Sequence, residues 1–236
     1  MLPPMSDSGH LDLARLRARA VERFRSGDGT RPDVLLLEID GQRLVLKDYG
    51  RSDAVFGRLL GPLFTWREAR ALRRLEPVAG IPRLIRRVGR RALLLEYIEG
   101  HTLKSLPRER VSPALFERVE ALIGQMHARG VAHCDLRSGG NTIIDARGRP
   151  HFVDFVGHCP RGARWNLLWR WAFGRLCQAD RVAVARMKKR LAPELLTEAD
   201  RRALHWDRHA PLARFARFVG GGIRDLTRRL LVRRNG

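Results

Sequence analysis

Lysine is nearly absent from this chain. Of its 46 basic residues only Lys47, Lys104, Lys188 and Lys189 are lysines, and against 25 acids the formal net charge of +21 rests almost wholly on arginine. Such an imbalance points to an anionic partner: nucleic acid, an anionic membrane surface or a phosphorylated glycolipid. The alternative is a surface that arginine merely solvates. Cysteine is scarce too. Cys134, Cys159 and Cys177 are odd in number and form no CxxC pair, and residues 1–10 do not read as a signal peptide. A disulfide framework is therefore not expected, and a reducing cytoplasm is. The nearby histidines His133, His151 and His158 add none of the closely spaced ligand pairs of a zinc site. No apolar run approaches the roughly 20 residues of a membrane-spanning helix. A chain of 236 residues, 44% hydrophobic and 30% charged, suffices for a substantial core in one domain or in two packed lobes.

What is present is concentrated in residues 133–155, "HCDLRSGGNTIIDARGRPHFVDF". Asp135 follows an apolar-rich helical segment, Asn141 comes six positions later, and Asp154 closes a short apolar strand. One carboxylate orients or deprotonates a hydroxyl, while an amide oxygen and a second carboxylate hold divalent cations. That is an inventory for handling a metal-bound phosphate.

Upstream, Leu13, Leu16, Val21 and Phe24 recur at roughly helical spacing behind Asp12. They predict a helix, or a helix leading into a first strand. "SGDGT" breaks that pattern. Gly27 and Gly29 suit a loop that brings backbone amides against phosphate, as they suit any turn before a strand. "DVLLLEI" and "QRLVLKDY", joined by Asp40-Gly41, read as a hairpin with Lys47 at the end of its second strand. Lys47 is the only lysine before Lys104. A compact ammonium suits a narrow phosphate pocket better than a guanidinium does, and the alternative is a solvated strand end. A helix is expected over residues 63–75, with Leu63, Trp66, Ala69, Leu72 and Leu75 as its apolar face. Glu68 is its only acid and has no basic residue three or four positions away, which leaves it available to Lys47. "RLIRRVG" and "RALLLEYIEG" read as two further strands. In "SPALFERVEALIGQMHARGVAH", Ser112 caps a helix, Pro113 suits its first turn, and Leu115, Val119, Leu122, Ile123 and Met126 form its buried face. "NTIID" and "HFVDF" form a hairpin turning at residues 146–148.

Taken in order, strand Lys47, helical Glu68, "LEYIEG", "HCDLRSGGN" and "VDF" resemble the protein-kinase-like superfamily over about residues 26–160. Within it, the short chain, the "REAR" helix and the missing activation segment are most similar to bacterial lipopolysaccharide kinases of the Kdo and heptose kinase type and their RIO-like relatives. The resemblance implies an α+β, bilobal fold. Its parts would be a small antiparallel-sheet N-lobe (about 1–97), a reduced helical C-lobe (98–221) and a basic tail (222–236). It implies ATP and Mg2+ as cofactors. Lys47 would grip the nucleotide phosphates with Glu68 as its ion-pair partner, Gly27 and Gly29 would cover them, and backbone around Glu96 and Ile98 would face the adenine. Asp135 would accept the acceptor's proton, Arg137 would lie near the transferred phosphate, and Asn141 and Asp154 would bind magnesium. His133 would brace the loop, and Phe155 would be the apolar neighbour of Asp154.

The departures from the family pattern have consequences. Asn141 lies six residues beyond Asp135 where protein kinases have five, an excess that Gly139-Gly140 would absorb. "DFV" replaces DFG and no APE-like element follows, so activation-loop control and a protein-substrate platform are not expected. The implied activity is that of a kinase acting on a hydroxyl of a lipopolysaccharide core sugar or similar glycolipid. It would work in the cytoplasm, peripheral at the inner face of the cytoplasmic membrane. A RIO-like serine/threonine protein kinase or an RNA-associated kinase-fold ATPase is the alternative, and a pseudokinase adaptor a third. No RNA-stacking motif accompanies the arginines, which disfavours nucleic acid.

"RWNLLWRWAFGRL" mixes Trp165, Trp169 and Trp171 with Arg164, Arg170 and Arg175. Its tryptophans are expected to fill core against the catalytic loop; the alternative is a helix lying at a membrane interface. Basic helices follow in "DRVAVARMKKRL" and in "TEADRRAL", the latter capped by Thr197. The basic, apolar-striped residues 223–234 are the better candidate for membrane attachment, and the alternative is a solvated face plus docking.

Overall fold

The computed structural model describes residues 12–27, 29–52 and 54–209; the basic tail at 222–236 lies outside them. The chain has the α+β arrangement that the resemblance implies and divides into two compact units. One runs up to Ala69 and includes Leu84–Tyr97; the other comprises Arg70–Arg83 and the chain from Ile98.

In the first unit Asp12 caps helix α1 (Leu13–Ala18), its carboxylate accepting the Ala14 N–H at 3.1 Å. The helix stops at Arg19 and runs into β1 (Ala20–Arg25). Helix followed by strand is thus the correct reading, and Val21 and Phe24 are strand residues, 59% and 46% exposed. The spacing that linked them to Leu13 and Leu16 straddles two elements. β2 (Asp33–Ile39) and β3 (Gln42–Asp48) form the expected hairpin, with Asp40 and Gly41 at φ 52° and 71°, as its two-residue turn requires. β4 (Leu84–Val88) and β5 (Ala92–Glu96) complete a five-stranded antiparallel sheet in the order β1-β2-β3-β5-β4. Strand alternation sends Leu35, Leu37, Leu44, Leu46 and Leu94 to one face, where Leu16 of α1 packs, and Lys47 to the other. Arg17 of α1 ties down the end of the central strand β3, its Nε 2.7 Å from the buried Asp48 Oδ2.

Between β3 and β4 lie α2 (Ala54–Leu59) and α3 (Gly61–Leu75). Ala69, Leu72 and Leu75 are buried as expected, but Leu63 and Trp66 are about half exposed. Thr65 takes the inward position on those first turns instead, its hydroxyl 2.7 Å from the Arg90 carbonyl.

The second unit holds the last turns of α3 and, after Ile98, β6 (His101–Thr102), α4 (Pro113–Ala128) and β7 (Val131–Ala132). Ser112 caps α4 by accepting the Leu115 N–H at 3.3 Å, Pro113 opens the helix, and the five predicted apolar positions are all buried. β8 (Thr142–Ile144) and β9 (Pro150–Phe152) make the predicted hairpin, to which β6 adds a third strand that the two-residue motif His101-Thr102 does not advertise. β10 (Cys159–Pro160) pairs with β7. α5 (Leu167–Leu191) fuses the two basic segments that the sequence suggested separately. Its tryptophans do not fill the core. Trp165, Trp169 and Trp171 are 82%, 40% and 48% exposed, because Phe173, Cys177, Asp180, Val184 and Met187, at three- and four-residue spacing, hold the inward face. Thr197 caps α6 (Glu198–His209) reciprocally: the Asp200 N–H donates to Thr197 Oγ1 at 3.1 Å and the Thr197 N–H donates to Asp200 Oδ2 at 3.0 Å. Among the described residues no helix is long and apolar enough to cross a membrane.

Candidate functional site

Lys47 lies on β3 with Val34 and Leu93 as its strand neighbours and is buried. Its ammonium sits 2.9 Å from Oε1 and 2.8 Å from Oε2 of Glu68 on α3, whose carboxylate is 1% exposed. The anchoring of Thr65 to the Arg90 carbonyl presents Glu68, one turn later, to the same side of the sheet as Lys47. Water competes for neither charge, so the pair fixes the lysine's position far more firmly than a surface ion pair would.

The other first-unit residues predicted for nucleotide are placed as follows. Gly27 donates its N–H to Asp33 Oδ1 and packs closely, a Cβ there lying 3.1 Å from the Asp33 nitrogen and 3.3 Å from the Arg51 carbonyl. Its amide is committed within the protein, so the more open backbone of the pair is at Gly29, which has φ +51° and, among the described residues, nothing within 4 Å of where a Cβ would stand. Glu96 ends β5 opposite Leu44, and Tyr97 after it is clamped between Phe24, with ring centroids 6.0 Å apart, and the Arg43 guanidinium, 4.4 Å from its ring. Ile98 is the first residue of the second unit's longer segment and is half-buried.

In the second unit Asp135 emerges from a loop held on several sides. The backbone N–H groups of His133 and Cys134 both donate to Asp180 of α5 at 2.8 Å, and His127 Nε2 lies 2.9 Å from the same carboxylate. Cys134 adopts φ +66°, a strained conformation for a non-glycine residue that persists only where its surroundings impose it. His133 is fully buried. Its Nδ1 accepts the Asp135 N–H at 3.3 Å, so the ring proton sits on Nε2, which donates to the Val153 carbonyl at 3.0 Å. The Phe155 ring packs against it at 4.7 Å.

Asn141 donates Nδ2 to the Asp135 carbonyl at 2.9 Å and to Asp135 Oδ2 at 3.1 Å. This orientation leaves its Oδ1 as a donor oxygen. Its carbonyl accepts the Val153 N–H at 3.0 Å, which sets Asp154 on the adjoining strand end, at φ 66°. In the loop between Asp135 and Asn141, Gly139 takes φ +69° and its carbonyl accepts the Lys104 N–H at 3.3 Å. Arg137 is exposed. The donor set of one amide oxygen and one carboxylate fits Mg2+, which keeps water and binds through one or two protein groups together with substrate phosphates. Among the described residues no cluster of three or more His, Cys, Asp or Glu competes as a metal site.

Among solved structures, the chain is similar to the Rio2 kinase-ADP/Mg2+-phosphoaspartate complex from Chaetomium thermophilum. Identity is 15% and the TM-score 0.49, over 81% of this chain and 70% of that one. Neither a protein-family model nor a curated protein matches the sequence.

Asp180 is the site residue that reading the sequence missed. The available signal was an acid on the inward stripe of Cys177, Val184 and Met187, where a charge persists only if the fold supplies donors. Its charge also acts on the thiols beside it. Burial, reinforced by the Asp180 carboxylate, pushes Cys177 up to about 12 and raises Cys134 well above the ordinary thiol range.

Proposed function

We propose that the chain is an ATP-dependent, Mg2+-assisted phosphotransferase acting on a hydroxyl group. The buried Lys47–Glu68 pair carries this reading. Burying an ion pair costs desolvation that its mutual attraction only partly repays, so its retention points to a need to fix the lysine's position, and here a chain that otherwise uses arginine places its solitary N-terminal lysine there. Lys47 binds nucleotide phosphate oxygens, steadied by Glu68, with the backbone around Glu96, Ile98 and Gly29 contacting the rest of the nucleotide. Asn141 Oδ1 and the Asp154 carboxylate hold Mg2+, which when bound neutralises phosphate charge. Asp135, oriented by Asn141 Nδ2, takes the proton as the acceptor oxygen bonds to the γ-phosphorus and the bond to ADP breaks. Arg137, exposed and cationic, offsets charge on the transferred group.

The acceptor we propose is a saccharide hydroxyl of the lipopolysaccharide-core or glycolipid kind, reached at the inner face of the cytoplasmic membrane. The excess of arginine supports an anionic, phosphate-bearing acceptor. The test is transfer from labelled ATP with Mg2+ to deacylated and lipid-linked core saccharides, alongside a serine/threonine protein substrate. The expected result is saccharide labelling that Asp135→Ala abolishes while nucleotide binding persists. Normal turnover by Asp135→Ala would overturn the base assignment, and labelling confined to protein would overturn the acceptor.

A further inference from the structure

We infer that the outer face at the start of α5 is a docking surface for an anionic lipid bilayer. Leu167, Leu168 and Trp171 are 73%, 76% and 48% exposed, and Trp165, just before the helix, is 82% exposed. At about 100° per residue, positions 167, 168, 171 and 175 share one face. That face lies opposite Phe173, Cys177 and Asp180, which are buried. Four large apolar side chains gathered over seven residues are not the scattered surface hydrophobes of an ordinary soluble face.

Charge selects the occupant. Arg164, Arg170 and Arg175 rim the patch, and the Arg175 guanidinium lies 5.2 Å from the centre of the Trp171 ring. Indoles settle at headgroup depth, leucines reach the acyl boundary and arginines meet lipid phosphate, so an anionic bilayer satisfies all three residue types. Single-stranded nucleic acid would use the arginines and tryptophans, but bases stack on aromatic rings and leave Leu167 and Leu168 unused. The chain's own tail is a poor cover. Residues 222–236 carry Arg224, Arg228, Arg229, Arg233 and Arg234 against the single acid Asp225, which would set arginine against arginine, as would a second copy of this face. The inference moves membrane attachment from the tail to α5, and it stands independently of the phosphotransferase reading.

The test is co-sedimentation of the full chain with vesicles of phosphatidylglycerol and phosphatidylcholine in equal parts, and with vesicles of phosphatidylcholine alone. The unsubstituted chain should bind the anionic vesicles more tightly. The variant Leu167→Ser/Leu168→Ser/Trp171→Ser should keep its circular dichroism and thermal unfolding yet bind them about tenfold more weakly or worse. As a check that needs no variant, lipids brominated in the acyl chain should quench the protein's tryptophan fluorescence. Equal vesicle binding by the folded triple variant, or absence of quenching, would overturn the inference. So would a patch-dependent preference for single-stranded RNA, or a dimer lost in the triple variant without vesicle binding by the parent.

Discussion

Asp180 accepts the backbone N–H of His133 at 2.8 Å across 47 residues of sequence. The same carboxylate takes the Cys134 N–H and lies beside the His127 ring of α4, so one buried side chain of α5 accepts two backbone donors of the loop that carries Asp135. Asp180→Ala would strand those donors away from water, at about 1–3 kcal/mol per unsatisfied group. Its urea-unfolding midpoint is expected to fall sharply with the slope unchanged, and Asp180→Asn, which keeps an acceptor oxygen, should fall less. An unshifted midpoint in Asp180→Ala would mean that the loop has other acceptors.

The Lys47–Glu68 pair is open to a double-mutant cycle. Lys47→Met removes the ammonium held against the 1%-exposed Glu68 carboxylate, and breaking a buried pair by removing one member costs about 3–5 kcal/mol. The double variant Lys47→Met/Glu68→Leu should therefore be more stable than either single variant. Nucleotide affinity, measured by calorimetry, should be lost in all three, because the double variant restores packing and not the ammonium. A double variant that binds ATP normally would remove Lys47 from the proposed site.

Rarity and spacing made much of this legible from the sequence. Lys47 and Glu68 stood out because each was the only residue of its kind in its element, and Asp135, Asn141 and Asp154 because their separation fits a loop followed by a hairpin. Asp180 and the outward tryptophans were hidden for one reason. α5 carries apolar residues on both faces, and which face turns inward depends on the packing of Phe173 and Cys177 near Ala132, a tertiary relation that helical period alone leaves open. Helix alone and helix followed by strand stayed open for residues 11–24 because Val21 and Phe24, exposed on an outer strand, happen to continue the spacing of Leu13 and Leu16.

Acid should loosen the β8–β9 hairpin through Asp145. Burial opposes its charge, but the Arg149 backbone and guanidinium and the His151 ring outweigh that and hold its carboxyl at about 2, below the usual 3.8. A carboxyl depressed on folding adds stability above its unfolded value and loses it as pH falls through the folded one. The contribution should therefore disappear from about pH 4 downward to about pH 2. Thermal unfolding across that window should show a smaller drop for Asp145→Asn than for the parent; parallel curves would contradict the assignment.

The raised thiols predict slow labelling. With Cys177 pushed up to about 12 and Cys134 well above the ordinary range, both remain protonated at neutral to mildly alkaline pH, and the thiolate is the reactive form. Maleimide at pH 8 should modify at most one of the three cysteines in the native protein and all three in urea. Mass spectrometry reads the count directly, and rapid native modification of Cys134 would show that the loop opens around it.

Gly139 tests whether the left-handed residue of the loop is what places Asn141. Its φ of +69° is unfavourable for alanine, and an added Cβ would lie 3.2 Å from both the Lys104 nitrogen and Met187 Sδ. Gly139→Ala should cost about 1–2 kcal/mol from the left-handed backbone alone, and the strain is relieved most readily by shifting the loop two residues before Asn141. Asn141 Nδ2 would then leave Asp135 Oδ2, now 3.1 Å away, so turnover should fall several-fold while ATP affinity, set in the proposed site by Lys47, stays near the parent's. Gly140→Ala has no positive φ to overcome and serves as the control. If the two variants lose turnover equally, the left-handed residue is not what holds the asparagine in place.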